Sequence, residues 1–172
     1  MPRTIQVTLY NPNWPHLYRQ EARQIVKALP GQIILIHHIG STAIPGIKAK
    51  PIIDCLLEMS QIEAIDAYNT VMIALGYEPR GENGIPGRRY FVKGTANIHS
   101  HHLHAFQTGH QQIAQHLDFR DYLRAHPDQA QTYSQLKETL ARKYRHDSVA
   151  YTEGKNEFIR AIDGCATRWR AS

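Results

Sequence analysis

His37-His38-Ile39-Gly40-Ser41-Thr42-Ala43-Ile44-Pro45-Gly46-Ile47-Lys48-Ala49-Lys50-Pro51-Ile52-Ile53-Asp54 reads as an apolar strand, a Gly-Ser turn, a loop of small residues with a basic end, and a second strand carrying one acid. A Gly-Ser turn leaves backbone N–H groups to face an anion. A lone carboxylate in an apolar strand wants a metal, a proton or a cation. Together, a phosphate-gripping turn at Gly40 and Ser41 and a metal-gripping acid at Asp54 are the layout of a phosphoryl- or nucleotidyl-transfer site.

Side chains of a strand alternate between its faces. Over Ile52 to Met59, one face carries Ile53, Cys55, Leu57 and Met59 and is wholly apolar, so Asp54 points to the other, with Ile52, Leu56 and Glu58. Over His101 to Gln107, Leu103 and Ala105 share one face, and His102, His104 and Phe106 the other. Over Arg88 to Lys93, Tyr90 and Val92 share one, and Arg89, Phe91 and Lys93 the other. If each apolar set faces the core, the opposite face collects Asp54, His102, His104, Arg89 and Lys93. Two histidines at i and i+2 sit about 7 Å apart at Cα and can share a metal. With Asp54 they make a two-His, one-carboxylate set suited to Zn²⁺, Mn²⁺ or Fe²⁺.

The elements follow from punctuation and period. Asn13-Trp14-Pro15 opens a helix with Asn13 placed to cap, and Pro30-Gly31 closes it. Ser60-Gln61-Ile62-Glu63 is a capping-box pattern that starts a helix ending at Gly76. Arg88 to Lys93 and Ser100 to Gln107 form a hairpin, and from His110 onward the pattern is helical in three runs, 110–125, 127–144 and 152–170. Arg120 interrupts an apolar helical stripe of Ile113 and Leu117, and Lys155 another of Tyr151, Phe158, Ile159 and Ile162; such cations snorkel, pair, or reach phosphate. The order predicts one α+β domain over 1–172, a mixed sheet with helices gathered mainly on one side and a helical C-terminal part.

At 172 residues with a formal charge of +5, the chain suits one soluble domain and a phosphate-bearing ligand. Its Lys and Arg are scattered, without a basic stripe interleaved with aromatics, so nucleic acid is not the expected partner. Two distant cysteines make no zinc pattern, and Cys55 reads as a small buried hydrophobe. Without an apolar leader or membrane-length run, a cytoplasmic location is expected.

The motifs His38-Ile39-Gly40-Ser41-Thr42-Ala43-Ile44-Pro45-Gly46 and Lys50-Pro51-Ile52-Ile53-Asp54 are similar to the signature of the GrpB family. So, in the same order along nearly the whole chain, are Tyr10-Asn11-Pro12-Asn13-Trp14-Pro15, Arg89-Tyr90-Phe91-Val92-Lys93, His101-His102-Leu103-His104, Phe119-Arg120-Asp121-Tyr122-Leu123-Arg124, Leu136-Lys137 and Tyr151-Thr152-Glu153-Gly154-Lys155-Asn156-Glu157-Phe158-Ile159. The resemblance implies a nucleotidyltransferase fold of the DNA polymerase beta type, with the Gly-Ser turn on the nucleotide phosphates and an Asp-x-Asp or Asp-x-Glu pair on divalent metal. Here Leu56 stands where the second acid would, and Glu58 lies about 13 Å along the strand from Asp54 at Cα.

The expected activity is transfer of a nucleoside monophosphate from an NTP to a small-molecule or protein acceptor. Gly40, Ser41 and Lys50 would grip phosphate, with Arg89, Lys93, Arg120 and Lys155 neutralising charge. Asp54, His102 and His104 would be the catalytic and metal-binding set, with Mg²⁺ or Mn²⁺ and with Zn²⁺ as a further fit. Two other readings stand beside it: a non-catalytic nucleotide or phosphometabolite binder, and a metal-dependent hydrolase built on Asp54, His102 and His104.

Overall fold

In the computed structural model, which describes residues 3–172, five strands form one mixed sheet. They are β1 (Ile33–Ile39), β2 (Ile53–Met59), β3 (Tyr77–Pro79), β4 (Arg89–Gly94) and β5 (His99–Gln107), in the spatial order β1-β2-β5-β4-β3. β2 runs antiparallel to β1 and parallel to β5, and β3, β4 and β5 form an antiparallel meander. The helices are α1 (Trp14–Ala28), α2 (Asn69–Ala74), α3 (Gln111–Ala125), α4 (Pro127–Lys143), α5 (Ser148–Gly154) and α6 (Asn156–Ala171).

The wholly apolar face of β2 forms the main core. Ile53, Cys55, Leu57 and Met59 pack with Leu103, Ala105 and Phe91 against Trp14, Ile25 and Leu29 of the α1 region and Ile62, Ile65 and Met72 before and in α2. Cys55 is fully buried here, and burial pushes its thiol pKa well up, as befits a packing residue. The opposite face is covered too: Leu56, Ile39 and Phe106 pack under Ile113 and Leu117 of α3. Helices therefore lie on both faces, not mainly on one, because β2 has a second apolar strip for α3 to cover. The 44–47 loop is embedded further out, with Ile44 and Ile47 against Leu123, Ala130, Tyr133 and Ile162.

Three local expectations change. Asn13 makes no cap; Asn11 Oδ1 instead accepts from the Asn13 amide at 2.9 Å. Ser60 makes no capping box: the segment opens as a 3-10 helix, Ile62–Tyr68, before α2, and the Ile62 amide donates to Gln107 Oε1 at 3.4 Å. The last helical run begins earlier and breaks at Lys155, which ends α5 and opens α6. A Cβ on Gly154 would stand 2.6 Å from Leu140 Cδ2, so any larger residue there must displace the Leu140 side chain between α5 and α4.

The parity of β4 is also corrected. Tyr90 pairs with His104 and Val92 with His102, whereas Arg89 pairs with Ala105 and Lys93 with His101. Arg89 and Lys93 therefore share the face of the main core, away from Asp54. Arg89 holds Asp66 through two bonds of 2.8 and 3.2 Å, and Lys93 reaches the buried Glu21 at 2.9 Å, which Tyr77 also contacts at 2.8 Å. Both cations are thereby neutralised in place, and neither belongs to the site.

Candidate functional site

The parallel pairing of β2 and β5 sets Asp54 beside His102 and Leu56 beside His104. Asp54 Oδ1 then faces both imidazoles: His104 Nε2 lies at 3.2 Å and His102 Nδ1 at 3.5 Å. Burial alone would raise the Asp54 pKa, but hydrogen bonds from His102 and His104 outweigh it and hold the carboxyl well below the usual range. The three residues singled out for chemistry thus converge, as an ionised acid gripped by two rings.

The tautomers follow from what each ring touches. Arg88 NH1 sits 3.4 Å from His104 Nδ1, and a guanidinium only donates, so Nδ1 accepts and Nε2 carries the proton given to Asp54. Arg88 is itself buried, fixed by the carbonyls of Glu82 and Asn83 and by the ring of Tyr90 at 4.6 Å. On the other side, His102 Nε2 meets His99 Nδ1 at 2.9 Å. A hydrogen-bonded run thus connects His99, His102, Asp54, His104 and Arg88. Its outer end opens on a cleft of about 170 Å³ walled by Lys50, Pro51, Ile52, Ile98, His99 and His102.

With Oδ1 engaged, Oδ2 is the other face of the Asp54 carboxylate, and it turns to the Gly-Ser turn. A Cβ on Gly40 would stand 2.7 Å from Oδ2. Gly40 has φ 74° and ψ −173°, backbone that in practice only glycine adopts. The turn and the acid meet here because Gly40 has no side chain. Gly40→Ala is expected to cost about 1–3 kcal/mol for the backbone alone, and more because Asp54 must move. Gly46 has φ +83° and nothing within 4 Å of a Cβ, so Gly46→Ala pays only the backbone cost. In urea unfolding Gly40→Ala should lose more stability than Gly46→Ala; equal losses would contradict the Asp54 contact.

The turn is braced from behind. His38 Nε2 lies 2.9 Å from Thr42 Oγ1, which donates on to Ile52 O at 3.3 Å, so His38 is the donor and a neutral Nε2–H ring. Arg120 donates to His38 O at 3.0 Å and to Asp121, and Arg124 to Ala43 O at 2.8 Å. Arg120, expected to neutralise phosphate, is instead part of this clamp: the apolar half of its stripe covers Leu56 and the basic half pins the turn. Ser41 opens the short 3-10 segment Ser41–Ala43, and its hydroxyl faces that of the buried Tyr133.

Lys50 and Lys155, both expected at phosphate, both lie against the buried Tyr151, their ammonium groups 5.0 and 4.7 Å from its ring centroid. Burial lowers both pKa values, that of Lys155 to about 8, while Asp54 pulls each upward. Beside them stands Lys137, which belongs to the Leu136-Lys137 motif but carries no expected site role. It lies i+4 from Tyr133 in an apolar stripe of α4, the signal that marked Arg120 and Lys155. Arg88, Tyr90, His99 and His116, whose ring lies 5.6 Å from that of His104, are likewise neighbours of the site to which the sequence assigns no role in it.

Glu58 is withdrawn from Asp54 by His37, whose Nε2 lies 2.6 Å from its carboxylate. Leu56 is fully buried between His37 and His104 in the register. Among the described residues, no group of three or more His, Cys, Asp or Glu side chains is set to hold a metal ion, and no helix is long and apolar enough to cross a membrane.

Comparison with known proteins gives concordant results. A family model described as GrpB protein matches residues 4–164. The protein YqkA of Bacillus subtilis is 45% identical over 168 residues, 98% of this chain and 49% of its own length, so the chain spans about half of that relative. The glutamate-rich protein GrpB of Alkalihalophilus pseudofirmus is 34% identical over 89% of this chain and 90% of its own. The crystal structure of the conserved protein GrpB from Enterococcus faecalis superposes with a TM-score of 0.93 at 38% identity, covering 97% of this chain and all of the other.

Proposed function

The chain belongs to the GrpB family, and from its site we propose that it transfers a nucleoside monophosphate from an NTP to the hydroxyl or amine of a small molecule or protein. The observation that carries this reading is the meeting of Asp54 Oδ2 with the Gly40-Ser41 turn, where a Cβ would stand 2.7 Å from the acid. Phosphate held by the turn would lie beside a carboxylate that His102 and His104 keep ionised, and Asp54 also acts electrostatically on Lys50 and Lys155.

The donor chemistry fits a divalent cation that enters with the nucleotide. Mg²⁺ or Mn²⁺ bound in this way takes one or two carboxylates from the protein and the rest of its shell from phosphate and water, so no preformed cage is needed. Asp54 would hold it through Oδ2. His104, committed to donating by Arg88, serves to orient and charge Asp54 rather than to ligate. The cation, when bound, supplies charge neutralisation on the phosphates. The acceptor O–H or N–H attacks the α-phosphorus, the bond to pyrophosphate breaks, and the proton passes to the His102–His99 pair, the imidazoles that border the cleft.

Incubation with each α-labelled NTP and Mg²⁺ or Mn²⁺, with hydroxyl and amine acceptors, should show transfer of label with release of pyrophosphate. No turnover with any NTP, together with unchanged binding in Asp54→Ala, would rule the reading out. A second reading is favoured by Leu56, whose place in the α3-covered core denies the site a second acid: the domain binds nucleotide and transfers nothing. That reading expects binding that persists in EDTA and survives Asp54→Asn.

A further inference from the structure

We propose that Lys50, Lys137 and Lys155 act together on a condensed phosphate chain, so that the ligand is recognised through its linked phosphates and not through a base. The inference rests on the phosphate-transfer reading and narrows it. Three separate elements deliver these side chains: Lys50 from the strand entry before β2, Lys137 from α4, and Lys155 from the break between α5 and α6. Lys50 and Lys155 share the ring of Tyr151, and Lys137 Nζ lies 4.6 Å from the ring centroid of Tyr133. Tyr133 in turn faces Ser41, so the cluster is continuous with the Gly-Ser turn.

Among the described residues no carboxylate is in ion-pair contact with the cluster, although Asp54 acts on Lys50 and Lys155 from further off. Among the described residues, lysines pair with carboxylates at Lys48–Glu138 and Lys93–Glu21, and none of the three does so. Lys137 is 2% exposed and satisfied only by the Lys48 carbonyl. Grouped cations out of water are costly unless an anion joins them. The strain appears in their acidities: burial and the other two lysines lower Lys137 to about 7, and burial and Lys50 lower Lys155 to about 8. One orthophosphate answers only part of three neighbouring cations; a tripolyphosphate spreads several charges across them.

The sign of the proton linkage follows. No carboxylate pairs with Lys137, and the charged groups acting on it are Lys155 and Lys50; Lys50 and Lys155 also feel Asp54, which opposes their loss of protons without restoring them to the ordinary range. A bound polyanion favours the protonated lysines, so binding takes up protons, and affinity should fall as pH rises from 7 to 9.

The test is calorimetric titration in EDTA with tripolyphosphate, orthophosphate, ATP and adenosine, on the wild type, Lys137→Met, Lys155→Met and the exposed control Lys27→Met. Tripolyphosphate and ATP should compete for one site and bind at least tenfold more tightly than orthophosphate, with adenosine silent. Both Lys137→Met and Lys155→Met should lose tenfold or more while Lys27→Met binds as wild type; Lys155→Met decides the matter if Lys137→Met fails to fold. Orthophosphate as tight as tripolyphosphate, binding led by adenosine, or wild-type binding in Lys155→Met would overturn the inference. Polyphosphate binding without turnover of any NTP removes the transferase reading and leaves this one standing. Turnover with unchanged binding in the lysine variants removes this one alone.

Discussion

Asp54→Asn should lower nucleotide turnover by about 10²- to 10³-fold, the loss expected when one preorganised electrostatic group is removed from a transfer site, and leave the fold intact. Asparagine keeps the size of the side chain, and its Oδ1 still accepts from His104 Nε2 and His102 Nδ1, now at 3.2 and 3.5 Å. What disappears is the charge at the oxygen that faces Gly40. The neighbouring rings keep their tautomers, because Arg88 still donates to His104 Nδ1. Thermal unfolding should shift little, and tripolyphosphate binding at the lysines should survive. The informative contrast is Arg88→Met, which leaves Asp54 charged but frees His104 to turn; it should slow turnover less than Asp54→Asn does. Equal turnover in wild type and Asp54→Asn would show that the acid is structural, with its two histidines serving to bury it.

The parts of this site legible in the sequence were those set by strand parity on one strand at a time. Ile53, Cys55, Leu57 and Met59 are all apolar, so the opposite placement of Asp54 follows without a partner strand. His102 and His104 flank Leu103 in the same manner. The rule fails for β4 because both faces of this sheet are covered. Phe91 packs with α1 and α2 while Tyr90 lies edge-on to His102 and tilted against His104, so apolar character does not say which set points where. Arg89 and Lys93 are tolerated on the core side only because Asp66 and Glu21 wait for them there, one before α2 and the other on α1. Those pairings join residues 23 and 72 positions apart and leave no local trace. The clamp from Arg120 and Arg124 is likewise long-range, although the stripe that carries it is plain in the sequence.

Stability should fall steeply as pH drops from about 6.5 to 4, driven by histidines that the fold keeps neutral. His38 is buried, stacked on Tyr18 with 4.8 Å between ring centroids, and commits Nε2–H to Thr42. Burial, helped by Arg124 and Arg120 against the pull of Asp54, lowers its pKa to about 4. His116, beside His104, is lowered to about 4 by burial and by His104 and Arg88. Above pH 6.5 both rings are neutral in the folded and unfolded chain, and their contribution is constant. Below it the unfolded chain takes up the protons and the native one refuses them, so the equilibrium moves toward unfolding until pH 4. For His38 the loss amounts to about 3 kcal/mol over that window; His116 adds a loss of the same sign. Asp54, with its lowered pKa, extends the trend below pH 3.8, where the unfolded chain protonates its carboxylate first. Urea unfolding at pH 7.5, 6 and 5 measures the slope. His38→Gln keeps a donor for Thr42 and cannot titrate, so it should be less stable than wild type at pH 7.5 and lose less of that stability on acidification. If its slope between pH 6.5 and 4 matched the wild type, the brace behind the Gly-Ser turn would not be what acid breaks.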